Sequence, residues 1–98
     1  MLPSREETLH RLKALLPELQ SRYGMQDAAV FGSMARGDYD EQSDVDILSD
    51  FTRPIGWEIV SLEAWLETRL QRKVQVFHRK ALSHSPIAAQ ILQDLVAF

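Results

Sequence analysis

Two aspartates separated by one apolar residue, Asp44-Val45-Asp46, follow a Gly32-Ser33 step that breaks the apolar run Ala28-Ala29-Val30-Phe31. In an extended segment side chains alternate across the strand, so Asp44 and Asp46 share one face while Val45 and Ile47 turn into the core. Their backbones lie roughly 6–7 Å apart. At an effective dielectric of about 20, two charges about 6 Å apart repel by roughly 3 kcal/mol. A hard divalent cation offsets that repulsion, and Mg²⁺ in particular is typically held by one or two carboxylates plus substrate phosphates. The Gly32-Ser33 step supplies the other half of such chemistry. A strand that turns there into a short helix presents free backbone amides, which suit phosphate oxygens; alone, the same pair is an ordinary turn residue followed by a helix cap.

These residues must be held by a small scaffold. Ninety-eight residues, 45% hydrophobic and 26% charged, suit one soluble domain spanning residues 1–98, with room for a single core. The chain has no cysteine, which excludes disulfides and thiolate metal sites. No apolar run approaches the roughly 20 residues of a membrane span and no leader is visible, so a cytoplasmic protein with no membrane partner is expected. A net charge of −3 argues against a broad nucleic-acid footprint, and nucleic acid is not expected as a partner.

The periodicities predict helix, strand, loop, strand, helix, strand, helix. Ser4 and Glu7 form a capping box for a helix over residues 5–23, with Leu9, Leu12, Leu16, Leu19 and Tyr23 as its core stripe and Gly24 as its stop. His10 beside that stripe reads as solvated or packed. Strands are expected at 28–31, 45–48 and 74–77. A second helix over 57–70 buries Ile59, Leu62, Leu66 and Leu70, leaving Glu58, Glu63, Glu67 and Arg69 as its wet face and Trp57 and Trp65 at the core edge. Ser85-Pro86 starts a last helix with Ile87, Ile91, Leu92 and Leu95 as its apolar stripe. Asp38, Asp40 and Glu41 read as a solvated loop, Ser43 as a brace before the strand, and His78 and His84 as solvated. Asp50 has the parity of the aspartate pair but lies about 13 Å beyond Asp46 in an extended strand, too far to share an ion. The expected fold class is α/β (α+β): a small mixed sheet of three to four strands packed by helices.

Gly32-Ser33, Ala35-Arg36-Gly37 and Ser43-Asp44-Val45-Asp46 together resemble the signature of the polymerase-beta-like nucleotidyltransferases, in particular the minimal nucleotidyltransferases that act as antitoxins beside HEPN-domain toxins. The resemblance covers most of the chain. It implies the nucleotidyltransferase fold and transfer of a nucleoside monophosphate, AMP from ATP, to an acceptor hydroxyl, a tyrosine of a helical HEPN partner. It further implies Mg²⁺, two ions together with the nucleoside triphosphate, on Asp44 and Asp46. Gly32 and Ser33 would grip the triphosphate, with Arg36 neutralising its charge and Ser43 near it. The sequence departs from the family on the third strand, where Gln75 occupies the usual position of a third carboxylate. Glutamine can donate and accept hydrogen bonds, but it cannot act as a general base and is a poor Mg²⁺ ligand. A nucleotide- or toxin-binding module that has lost turnover is therefore the alternative. A chain this short has little surface to enclose both nucleotide and acceptor, so exposed apolar residues on the second or last helix are expected to contact the partner.

Overall fold

The computed structural model describes residues 3–40, 42–82 and 85–98, so the expectations for Glu41 and His84 fall outside the described residues. Helix α1 (Arg5–Tyr23) starts where the Ser4 hydroxyl accepts the Glu7 amide proton and ends at Gly24, whose left-handed φ of 70° ends the helix. Strand β1 (Met25–Phe31), the single-turn helix α2 (Ser33–Arg36) and strand β2 (Val45–Phe51) follow. Helix α3 (Glu58–Leu70), strand β3 (Val74–His78), the short helices α4 (Arg79–Leu82) and α5 (Ala88–Gln93), and strand β4 (Val96–Ala97) complete the chain.

The strands form one mixed sheet in the order β3-β2-β1-β4. β1 runs antiparallel to β2 and β4, whereas β2 and β3 are parallel. A parallel pair needs a long crossover, and α3 supplies it. One sheet face carries Val30, Ile47 and Val76 in one row and Val45 beside Val74 in the next. That face packs on Leu12 and Leu19 of α1 and Leu62, Leu66 and Leu70 of α3, forming the buried core. The opposite face carries Asp46, Gln75 and Phe31 in one row and Leu48, Phe77 and Ala29 in the next. The Phe31 and Phe77 rings meet edge-on there, 5.4 Å apart. The hydrophobic alternation thus sends every second side chain to the core and the chemistry to the other side.

Both central strands outrun their apolar cores. β1 starts at Met25 rather than Ala28 because a bulge, with Asp27 at φ 51°, absorbs the irregular stretch between Gln26 and Ala29. The Arg79 guanidinium donates to the Asp27 carbonyl at 2.6 and 3.0 Å and steadies the bulge. β2 continues to Phe51 because Asp50 and Phe51 pair with Gln26 and Met25 of β1, and the fully buried Ser49 hydroxyl lies between the carbonyls of Asp50 at 2.7 Å and Gln26 at 3.1 Å, to which it can donate.

Other expectations are corrected by packing. Trp57 is not core edge: it precedes the first turn of α3 and is 91% exposed. Trp65 is half-buried, with the Arg69 guanidinium 3.6 Å from its ring centroid and Tyr23 edge-on. The last helix spans only Ala88–Gln93, so Leu95 lies outside it, and Ile87 and Leu92 are more than half exposed. His78 is not simply solvated. It ends β3, its Nδ1 accepts the Lys80 amide proton, and its Nε2 lies 4.0 Å from Asp50.

Glu63 and Glu67 are likewise not a wet face. β3 is an edge strand, and the outward-facing amides of Val74 and Val76 donate to the carboxylates of Glu67 at 3.1 Å and Glu63 at 2.8 Å. Two acids at i, i+4 on the crossover helix close an edge that would otherwise recruit another strand. Glu63→Ala and Glu67→Ala are each expected to lower unfolding stability by about 1–2 kcal/mol, the low end for a charged acceptor because both sites are half open to water. Glu→Gln, which keeps the carbonyl acceptor, should recover most of that loss in urea titrations. Equal losses from Ala and Gln would show that charge, not the edge hydrogen bond, matters.

Candidate active site

The site begins where β1 ends. Gly32 takes φ 78° and ψ −155°, a conformation that residues with a Cβ avoid. It is needed for a second reason: a Cβ on Gly32 would sit 2.7 Å from Oδ2 of Asp46. The carboxylate of β2 is therefore lodged against the bare Cα of the turn. Ser33 opens α2, whose Met34 and Ala35 are buried in the core and fix the turn to the body of the protein. Gly37, with φ 91°, closes α2 by donating its amide proton to the Ser33 carbonyl at 2.9 Å.

The loop from Asp38 to Asp44 carries the chain to the second half of the site. Its organiser is Arg72, a cation in the polar run Gln71-Arg72-Lys73 between α3 and β3. Almost fully buried, it donates to the carbonyls of Asp40 at 3.0 Å, Ser43 at 3.2 Å and Pro3 at 3.3 Å, and lies over the Tyr39 ring at 5.4 Å. The Tyr39 hydroxyl accepts the Arg5 amide proton at 2.9 Å, tying the loop to the start of α1. Asp40 is not merely solvated. Its carboxylate accepts the Gln42 amide proton at 2.8 Å and the Ser43 hydroxyl proton at 3.3 Å, while the Ser43 oxygen accepts the Asp40 amide proton at 3.0 Å. Ser43 is the brace expected of it, with its hydroxyl committed inside the loop.

The loop delivers Asp44 immediately before β2, and Asp46 sits one residue into that strand. Val45 and Ile47 are fully buried on the core side, as the alternation requires. The Asp46 carboxyl is pushed above its ordinary pKa, first by burial and second by the charge of Asp44. For an acid whose folded-state pKa is raised, the associated stability is present at low pH and is lost as pH rises through that pKa. The ionised form of Asp46 is thus disfavoured by its surroundings, and a cation against the pair would relieve it. Gln75 is the in-register neighbour of Asp46 on β3, so its amide occupies the same row. Among the described residues no three Asp, Glu, His or Cys side chains come together. The donor set is the aspartate pair alone, which fits a divalent cation that takes its remaining ligands from phosphate and water.

Arg36 stands at the mouth of a cleft of about 460 Å³ lined by Phe31, Gly32, Arg36, Ile87, Gln90, Ile91, Gln93 and Asp94. It is exposed and pairs with Asp38 at 3.3 Å and Asp94 at 3.5 Å. The hydrogen bond and charge of Asp38, and then those of Asp94, raise its pKa further. Asp50 lies four residues along β2 from Asp46, beside His78, and takes no part in the pair.

This combination of mixed sheet, glycine turn and strand aspartates is that of a nucleotidyl-transferring domain, and the sequence relationships agree. The chain belongs to the nucleotidyltransferase domain family, whose model matches residues 12–97. It is 37% identical over 94 residues to the protein adenylyltransferase MntA of Thermococcus cleftensis, covering 91% of this chain and 94% of that one. It is 33% identical over 95 residues to a candidate protein adenylyltransferase, MJ0126, of Methanocaldococcus jannaschii, covering 92% and 97%. Among solved structures, a candidate minimal nucleotidyltransferase superposes with a TM-score of 0.81 at 29% identity over 98% of this chain and 97% of the other. A toxin–antitoxin crystal structure with AMP-PNP shares the fold, with a TM-score of 0.71 at 20% identity over 90% and 69%.

Gly32→Ala tests the closest contact in the site. The added methyl meets the Asp46 carboxylate at 2.7 Å in a backbone conformation that disfavours any side chain. The variant should stay folded by circular dichroism, melt a few degrees lower, and lose most Mg²⁺-dependent nucleotide binding in calorimetric titration. Unchanged binding would mean that the Gly32–Asp46 contact does not shape the site.

Proposed function

We propose that the protein transfers AMP from ATP to a hydroxyl of a partner protein, a tyrosine of a helical HEPN-type toxin, and so acts as an antitoxin. The observation that carries this reading is the Asp44–Asp46 pair, with the Asp46 carboxylate packed against the Gly32 turn, in a chain 37% identical to a protein adenylyltransferase. Sharing the fold of a toxin–antitoxin assembly is in keeping with it. ATP and such an acceptor meet in the cytoplasm, where we place the reaction.

Asp44 and Asp46 would hold Mg²⁺, two ions with the nucleotide, which supplies charge neutralisation along the triphosphate. The amides of the Gly32-Ser33 turn face the phosphates, and Arg36 exchanges a protein carboxylate for a phosphate oxygen. Ser43 keeps the loop in shape beside them. The acceptor oxygen attacks the α-phosphorus, the bond to the bridging oxygen breaks, and pyrophosphate departs with the electron pair. The hydroxyl proton must leave as the new bond forms, and Gln75 cannot take it.

Gln75 also favours the second reading, a nucleotide- or toxin-binding module with little turnover, because it stands in register with Asp46 where a carboxylate could complete the site. One assay separates the two. The protein is incubated with labelled ATP, Mg²⁺ and the product of the neighbouring gene, and both proteins are then weighed by mass spectrometry. An added AMP on the partner supports the transferase; binding without transfer supports the module.

General-base assistance is typically worth about 10²–10⁴-fold. Gln75→Asp should therefore raise turnover by at least about tenfold while leaving ATP affinity nearly unchanged. Brisk wild-type turnover that Gln75→Asp slows would show that another group takes the proton.

Two aspartates leave most of an octahedral shell to phosphate and water, so Mg²⁺ should bind weakly alone and firmly with ATP. Asp44→Asn with Asp46→Asn should abolish that coupling and leave the fold intact, since the change removes repulsion along with charge. Equal Mg²⁺ affinity with and without ATP in the wild type would sink the two-carboxylate site.

A further inference from the structure

The cleft beside Gly32 has a wall that the phosphate chemistry leaves unused. Ile87, Gln90, Ile91 and Asp94 recur at i, i+3, i+4 and i+7, so one side of α5 and its flanking residues looks into the cleft, joined by Gln93. Asp94 is committed to Arg36 at 3.5 Å, an ion pair that sets α5 against α2 across the cleft mouth. Gln90 and Gln93 are different. Among the described residues neither side-chain amide has a hydrogen-bonding partner within the chain. Nothing in the packing of α5 calls for either amide, because the helix buries no residue.

We propose that Gln90 and Gln93 read the base of the nucleotide and select adenine over guanine. This rests on the reading that the triphosphate lies at Gly32 and the aspartate pair. Gly32 and Arg36 line the same cleft as Phe31, Ile87 and Ile91, apolar side chains on which a planar base can lie, and as the two glutamine amides. A carboxamide carries a donor and an acceptor side by side. The amino group and ring nitrogen of adenine present the complementary pair, which is why Asn and Gln read adenine elsewhere. Guanine offers two acceptors on its O6 and N7 edge, which leaves the amide oxygen facing lone pairs. The cleft, at about 460 Å³, falls within the ordinary range of small-molecule sites. The adjoining cavity among Leu48, Arg79, Leu82, Ala88, Ile91 and Leu92 is about 110 Å³ and nearly all apolar, and the Arg79 guanidinium is already bound to the Asp27 carbonyl. It offers no edge-reading group.

The test measures binding of ATP, GTP and inorganic tripolyphosphate in Mg²⁺. It compares the wild type with Gln90→Ala/Gln93→Ala, Gln90→Arg and Asp44→Asn/Asp46→Asn. The wild type should prefer ATP to GTP by at least about tenfold, the lower part of what a good bidentate base contact provides. The double alanine variant should bind ATP no better than GTP while holding tripolyphosphate as tightly as before. Gln90→Arg should shift the ratio towards GTP, because guanidinium donors match its two acceptors. Both glutamines are exposed, so melting temperatures should not move.

An ATP-to-GTP ratio that survives the double alanine change, with binding still dependent on the aspartates, overturns the base assignment and leaves the transferase reading standing. Nucleotide binding that is absent in the wild type, or indifferent to loss of both aspartates, overturns the transferase reading and the base assignment with it.

Discussion

The contact between the Asp46 carboxylate and the bare Cα of Gly32 is what the rest of the molecule must maintain. It forces a half-buried charge against backbone, beside a second charge on Asp44, and it needs a glycine in a conformation other residues avoid. Neither partner can move far. Gly32 is bound between β1 and an α2 whose Met34 and Ala35 are buried, and Asp46 lies between two fully buried neighbours on the central antiparallel pair. The repulsion between the two carboxylates is small beside the apolar burial on the other face of the same sheet, where each fully buried Val, Ile or Leu contributes roughly 1.5–3 kcal/mol. A strained polar edge is tolerated because a rigid apolar face stands behind it.

The same division of labour extends to the loop. The described residues of this loop are mostly polar apart from Tyr39, which packs at the edge of the core, so the rest of the fixation comes from hydrogen bonds. Arg72 donates to two loop carbonyls, Asp40 and Ser43, and to that of Pro3, while Asp40 and Ser43 close the turn from within. Arginine suits this place because its planar fork serves several acceptors at once and its charge persists when buried. The position of Asp44 is thus set in part by a residue that follows α3 in sequence, through bonds to Asp40 and Ser43 of a loop that looks like a solvated connector.

The sequence made the frame and the carboxylate pair legible because both depend on local rules. The 3.6-residue stripes of α1 and α3, the Ser4 and Gly24 caps, and the alternation around Val45 and Ile47 are decided within a few residues of each other. What escaped notice depends on partners distant in the chain. Glu63 and Glu67 look like a wet helix face until β3 is laid beside them, and Arg72 looks like one of the cations in Gln71-Arg72-Lys73 until the loop folds over it. β1 and β2 appeared shorter than they are because Gln26, Asp27, Ser49 and Asp50 interrupt the apolar pattern, and the bonds that keep them in the sheet are long-range. α4 and β4 are short and carry little core, so no periodicity announces them, and α5, expected from the Ile87, Ile91 and Leu92 stripe, is shorter than that stripe suggests. The Gln90 and Gln93 wall is hidden for the same reason.

A pair of carboxylates where three would be usual has a consequence for selectivity under the proposed reading. A site with a complete protein cage can hold its cation before substrate arrives; a site with two ligands holds it well only when phosphate supplies the rest. Cation and nucleotide then bind as one thermodynamic unit, each raising the affinity of the other by the same factor. A bare pyrophosphate or triphosphate could complete that shell as readily as a nucleotide, so nothing in the metal end distinguishes substrate from by-product. Discrimination must come from elsewhere in the cleft, and the wall of α5 is the part of it that presents unpaired polar groups away from the phosphates. That wall is anchored to the catalytic turn through the Arg36–Asp94 pair. A phosphate drawing Arg36 from Asp94 would loosen the wall at the moment the base is to be held, unless contacts to the base replace the lost ion pair. Under that reading base recognition and phosphate binding would be coupled through one arginine, and the correct nucleotide would be the ligand that supplies both halves of the exchange.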